Sequence, residues 1–135
     1  MTDCIFCKII SGELPCFKIY EDDYVLAFLD IHPVSRGHTI VIPKSHATNI
    51  FDILPNDWMH VCETARILAT TLETSLGSDG INLMMNNRQN AGQVVDHPHV
   101  HLIPRYKNDG LKHWPSARYE DGDAEQVLKT VITKK

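Results

Sequence analysis

No apolar run in these 135 residues approaches the length needed to cross a bilayer. Basic runs are missing as well, and the formal net charge is −4 with the histidines neutral. That balance disfavours nonspecific nucleic-acid binding, which relies on clustered lysine and arginine. The first residues, Met1-Thr2-Asp3-Cys4, lack the positive segment and apolar stretch of a secretory signal. Neither internal repeats, low-complexity tracts nor domain linkers interrupt the chain. With no signal or span visible, a cytoplasmic location is expected. Cysteine is sparse there: Cys4, Cys7, Cys16 and Cys62 are expected to be thiols or metal ligands, not disulfides.

What remains is ordinary for a soluble globular protein, with 43% hydrophobic and 22% charged residues. The length suits one domain over residues 1–135. A chain of this size buries roughly two thirds of the surface its unfolded form exposes, enough for a real core.

One stretch stands out: His97-Pro98-His99-Val100-His101-Leu102-Ile103-Pro104-Arg105. Its three histidines sit at every second position. In an extended strand, side chains at i, i+2 and i+4 share a face. The three imidazoles are therefore expected on one face, with Pro98, Val100 and Leu102 on the other. Imidazole titrates near neutrality and serves as nucleophile, acid or ligand.

The remaining pattern predicts an α+β fold. Ile5, Phe6, Ile9 and Ile10 recur at one-turn spacing, which predicts a short helix ending at Gly12. Phe17–Tyr20 and Tyr24–Asp30 read as a hairpin around Glu21-Asp22-Asp23. His38–Pro43 is almost wholly apolar and reads as a central strand. Asn49–Leu54 suggests a short helical turn. A long helix begins at Pro55–Asp57, with Asn56 or Asp57 available as a cap, and stops at Gly77. Its apolar stripe is Val61, Ala65, Leu68, Ala69, Leu72 and Leu76. Met59 and Cys62 read as fillers. Ile81–Asn86 and Val94–Ile103 complete about five antiparallel strands, with the helices expected on one face. The chain from about residue 105 is polar, with a short helix expected near Asp123–Val131.

Two chemistries suit the histidine stretch. His-x-His pairs on a strand can ligate zinc or iron and leave open positions. Alternatively, the central imidazole is a nucleophile toward phosphorus. A hydrogen bond from one ring N–H to a carbonyl would leave the other nitrogen's lone pair free to attack. The adjoining Gln89-Asn90-Ala91-Gly92-Gln93 offers backbone amides and a glycine, which suits a phosphate better than a bare metal. Cys4-Ile5-Phe6-Cys7 fits a zinc half-site or a redox motif, and no βαβ context favours the latter.

His97-Pro98-His99-Val100-His101-Leu102-Ile103 resembles the signature of the histidine-triad (HIT) superfamily, in which three histidines alternate with apolar residues. Other blocks look like its Hint-type branch: Cys4–Ile10, Tyr20–Asp23, Ala27–Ile31, Gly37–His46, Ala91-Gly92-Gln93 and His113-Trp114-Pro115. The resemblance covers most of the chain. It implies a HIT-like fold, a homodimer whose sheet continues across the interface, and a nucleotidyl hydrolase or transferase. Substrates would be purine nucleoside 5'-phosphoramidates, AMP or GMP joined to an amine, with no nucleic acid or membrane partner.

On the same resemblance, His99 would attack the α-phosphorus and form a nucleotidyl-histidine, which water then hydrolyses. His101 would hydrogen-bond the phosphate or leaving group, and His97 would orient the central ring, partly through its carbonyl. Asn86 and the amides around Gly92, Gln93 and Val94 would hold the phosphate. Asp30 would accept from the ribose hydroxyls. Ile5, Phe6, Ile9, Phe28 and Ile31 would wall the base pocket, and Trp114 would reach toward the partner's site. Cys4, Cys7, His46 and His97 match the structural zinc ligands of some relatives; no catalytic metal is expected. Two positions depart from the pattern. Val94 stands where a hydroxyl residue is common, and Pro98 removes a ladder donor. Dinucleoside polyphosphate hydrolysis, or nucleotide binding with little turnover, are the alternatives.

Overall fold

A computed structural model describes residues 3–132. The elements run α1 (Ile5–Ile10), β1 (Lys18–Glu21), β2 (Val25–Leu29), β3 (Thr39–Pro43), α2 (Pro55–Leu76), β4 (Gly80–Met85), β5 (Val100–Arg105) and α3 (Asp123–Ile132). All strands pair antiparallel in the order β1-β2-β3-β5-β4. The apolar β3 is central, and every one of its residues is buried.

Strand parity divides the core in two. Val25, Ala27, Val41, Val100 and Leu102 point to one face and pack under Val61, Ala65, Leu68 and Leu72 of α2. Leu26, Phe28, Ile40 and Ile42 point to the other, where Phe6 of α1 covers them. The helices thus take opposite faces of the sheet, not one as the strand count alone suggests. A period-2 pattern that is apolar on both faces needs a cover on each side.

The helix boundaries follow local chemistry, with two departures from expectation. Pro55 fills the first turn of α2, where its missing N–H costs nothing, but the cap residue is Leu54, without a side-chain bond. Asn56 and Asp57 lie inside that turn instead; Asp57 sits favourably at the positive end of the helix dipole. Gly77 ends the helix in the left-handed conformation, φ +67°. Met59 is exposed, as is Cys62, so neither fills the core. Residues 49–54 form turns and not a helix. Asp52 accepts from the Thr48 and Asn49 amides, and the Asn49 side chain accepts from Phe51, so side chains take donors a helix would use.

The histidine stretch does not begin as a strand. His97 N–H donates to the Val95 carbonyl at 2.9 Å, and Pro98 has no N–H to give. The ladder therefore starts at Val100, which pairs with both Val41 and Met85. His97 and His99 precede β5, and only His101 lies within it.

Gly37 lies in the loop before β3, with φ +92°. A Cβ there would stand 2.3 Å from Leu76 Cδ1 and 3.3 Å from Pro104 Cγ. Gly37→Ala is expected to destabilise the fold by about 2–4 kcal/mol, from backbone strain and overpacking together. Urea unfolding with an unchanged m-value would register it.

Candidate active site and metal centre

The three triad histidines occupy different environments because the chain bends at Val95–His97 and the ladder begins only at Val100. His99 is buried, and its Nδ1 lies 2.7 Å from the His97 carbonyl oxygen. A carbonyl only accepts, so Nδ1 carries the proton and Nε2 keeps its lone pair. Burial holds the His99 pKa below the ordinary imidazole value, which keeps the ring neutral.

His101 is fixed by a residue that the sequence pattern did not single out. His38 Nδ1 accepts the Val34 N–H at 3.0 Å, so its proton sits on Nε2. That nitrogen donates to His101 Nδ1 at 2.9 Å. His101 therefore carries its own proton on Nε2, as a donor. Burial, then the neighbouring His99 and His38, lowers its pKa to about 4, with Asp30 acting in the opposite sense. His38 shares the parity of Ile40 and Ile42 on the α1 face. A polar residue in register with that apolar row was the available signal.

His99 and His101 line a cavity of about 540 Å³. From α1 come Ile5, Phe6 and Ile9; from the sheet, Phe28 and Ile40; from the following loop, Ile31. Asp30, Asn86, Gly92 and Val94 also border it, as do His38, Cys16 and Val95, which were not singled out. Asp30 Oδ1 accepts the His32 amide at 2.8 Å, while Oδ2 stands 3.6 Å from His38 Nε2. Asn86 Nδ2 reaches the Gly92 carbonyl at 3.4 Å.

Two nucleotide-binding expectations fall outside this cavity. The Gln93 amide is buried and fully engaged: it accepts from Arg88 N at 2.7 Å and donates to Thr48 O at 2.6 Å and Val95 O at 2.9 Å. It braces the loop and has no spare group for a phosphate. Trp114 is 85% exposed and borders a separate cleft with Leu83 and Met84. His97 likewise does not line the cavity; its ring turns toward the cysteines.

There it meets Cys4, Cys7 and His46, whose donor atoms all lie within 4.8 Å of one another. A tetrahedral zinc with Zn–N of about 2.0 Å and Zn–S of about 2.3 Å sets donor edges of about 3.3–3.8 Å. The observed edges are 3.2 Å between the two Nδ1 atoms and 3.3, 3.6 and 3.7 Å from sulfur to nitrogen. His97 Nε2 donates to the Pro43 carbonyl at 2.8 Å, which leaves Nδ1 unprotonated toward the sulfurs. Burial and the adjacent Cys4 raise the Cys7 thiol pKa, a cost that a dication would reverse. The donor set fits structural zinc.

Asp30, His38 and His101 form a second cluster of possible ligands. Its hydrogen bonds work against a cation. Ligation at His38 Nε2 would move the ring proton to Nδ1, against the Val34 N–H that Nδ1 now accepts. This cluster is a proton-ordering relay for His101.

Comparison with known proteins agrees with this geometry. The HIT domain family model matches residues 11–108. An uncharacterized HIT-like protein of Methanocaldococcus jannaschii is 45% identical, over 95% of this chain and 98% of its own. The adenylylsulfatase of Arabidopsis thaliana is 41% identical, over 96% of this chain and 68% of its own. The adenosine 5'-monophosphoramidase of Saccharomyces cerevisiae is 38% identical, over 97% and 82%. Among solved structures, a HIT family protein from Bacillus anthracis superposes with a TM-score of 0.90 at 41% identity, covering 98% and 97%. A zinc-bound histidine triad protein from Mycobacterium smegmatis superposes at 0.79 with 33% identity, covering 99% of each chain.

The buried neutral imidazoles make a stability signature. An unfolded histidine takes its proton near pH 6.5, whereas His101 in the fold takes it only near 4. Across that window the unfolded chain binds more protons, so stability falls as pH falls. Removing one such group in His101→Gln should flatten the fall. Urea unfolding of both proteins at pH 7.5, 6 and 5 would show the difference in slope.

Proposed function

The chain belongs to the HIT domain family, and on that footing we propose that it hydrolyses nucleoside 5'-phosphoramidates of the AMP–amine type through a nucleotidyl-His99 intermediate. One observation carries this reading: the His99 Nδ1–H bond to the His97 carbonyl, which leaves Nε2 unprotonated on a residue that lines the cavity. In the proposed reaction Nε2 bonds to the α-phosphorus and the P–N bond breaks with its electron pair on the amine. The amine takes a proton from the medium, and the second step, attack by water, returns one. His101 Nε2–H donates to a phosphoryl oxygen. His101 is too weak an acid to give its proton away outright, since its Nδ1 is occupied by the His38 donor.

The apolar walls from α1 and β2 suit a purine, and the free oxygen of Asp30 suits a ribose hydroxyl. Asn86 and the amides near Gly92 would face the phosphate. Cys4, Cys7, His46 and His97 would hold zinc as a structural ion that staples α1 to the residues before β5; the donor edges support this. In a homodimer that continues the sheet, β4 is one edge that could pair, and Trp114 beside it would meet the partner.

A second reading keeps the same intermediate with a sulfate leaving group. The Arabidopsis relative's name supports it, as does Val94, which is 91% exposed and offers no hydroxyl to a departing amine. Steady-state kcat/KM values for adenosine phosphoramidate, adenylyl sulfate and a dinucleoside polyphosphate rank the three substrates. The phosphoramidate is expected to lead.

His99→Ala should lower kcat/KM by on the order of 10⁴-fold or more, since it removes the covalent route. Mass spectrometry of a rapidly quenched reaction should find one nucleotidyl group on the peptide containing His99. Undiminished turnover in His99→Ala would sink the proposal.

A further inference from the structure

Helix α1 has six residues, too few to persist alone in water. Two kinds of contact tie it to the body among the described residues. Phe6 is buried against Leu26, Phe28, Ile40 and Ile42, and the partly buried Ile9 and Ile10 pack against the same cluster. Polar contacts run only through the thiols: Cys4 to His97, and Cys7 to His46 and His97. Yet this short helix supplies Ile5, Phe6 and Ile9 to the wall of the cavity.

The same residues reach the nucleophile. Phe6 stands between the two cysteines in sequence, and its ring meets the His99 ring edge-on at 5.2 Å and 81°. It meets the His97 ring at 5.9 Å and 80°. His97 is one of the four donors, and its carbonyl fixes the His99 tautomer. The metal donors and the cavity thus share α1, Phe6 and His97.

We infer that the four-donor set controls the cavity: a zinc ion bound by Cys4, Cys7, His46 and His97 fixes α1 as a wall, so that metal occupancy and nucleotide binding are coupled. The inference rests on the proposed reading of the cavity as a nucleoside monophosphate site. Without the ion, α1 is left with the apolar contacts of Phe6, Ile9 and Ile10 and no four-donor staple. It frays, drawing Ile5 and Ile9 from the cavity and Phe6 from His99. Coupling between two binding sites is reciprocal, so nucleotide also retains the metal by the same factor.

The test compares the zinc-loaded chain with the chain stripped by a chelator. Both are titrated with AMP by calorimetry, and hydrogen exchange is followed at residues 4–10. Stripping is expected to speed exchange there, leave the sheet protected and weaken AMP binding about tenfold, within the usual range of coupling. At equilibrium with a chromogenic chelator, AMP should reduce zinc transfer from the loaded chain, lowering its zinc dissociation constant by a matching factor. Equal AMP affinity in the two folded forms overturns the coupling and leaves the nucleotide reading standing. A zinc-loaded chain that does not bind AMP overturns that reading instead, and a chain that takes up no zinc overturns the inference at its root. Should the stripped chain unfold, the transfer measurement on loaded protein decides. AMP is expected to hold zinc on the loaded chain, and equal transfer with and without AMP defeats the inference.

Discussion

The site depends on one hydrogen bond, from His99 Nδ1 to the backbone carbonyl of His97 at 2.7 Å. An imidazole held by water would exchange tautomers freely. Here the acceptor is a carbonyl in a buried setting, where reversing the proton would leave two acceptors facing each other and cost the full desolvation penalty. The bond therefore selects which nitrogen of His99 is basic. It exists because the chain bends at Val95–His97, ahead of the ladder. In a regular strand the His97 carbonyl would join a ladder; Pro98 delays the ladder to Val100 and leaves that carbonyl free to hold the ring.

Ring orders at the other histidines obey the same rule. Two of them have one nitrogen assigned by a backbone group: Val34 N–H for His38 and the Pro43 carbonyl for His97. The assignment then passes along side chains, from His38 to His101. The backbone thereby leaves an unprotonated Nε2 at His99, a donor at His101 and an unprotonated Nδ1 at His97, from one residue type in four positions. Spacing alone does not separate those roles; the partner of the second nitrogen does. The α2 face of the sheet takes no part. Its apolar residues supply rigidity, while the opposite face carries Phe28, Ile40 and the rings.

Much of this was legible in the residues. Continuous apolar runs in Val25–Leu29 and Thr39–Pro43 marked the strands, the Val61–Leu72 stripe and Gly77 marked α2, and the triad marked two residues of the cavity, His99 and His101. The short helix and the Cys4/Cys7 pair were legible too, because one-turn spacing and thiol spacing are local signals. Three features were not. The start of β5 depended on a competition between the Pro98 imide and the ladder, which propensity does not weigh. Gln93 stands among the phosphate-holding amides only by the family resemblance; its side-chain amide is taken by Thr48, Arg88 and Val95, two of them in the loop and one far away in sequence. His38 went unnoticed because its importance lies in contact with His101, 63 residues on.

The charge of the cavity completes the picture. Among the described residues its lining holds no lysine or arginine, its one carboxylate is Asp30, and burial lowers the pKa values of His38, His99 and His101. A phosphoryl group entering such a cavity meets N–H dipoles and not a full positive charge. In the proposed reaction the positive charge appears at the moment of attack, when the His99 ring becomes a nucleotidyl-imidazolium. The Nδ1–H bond to the His97 carbonyl then becomes charge-assisted and stronger than it was in the resting state. Stabilisation that grows along the reaction coordinate favours the transition state over bound substrate. The bond that selects the tautomer at rest is thus the one that stabilises the intermediate, and a resting imidazolium at His99 would forfeit both effects.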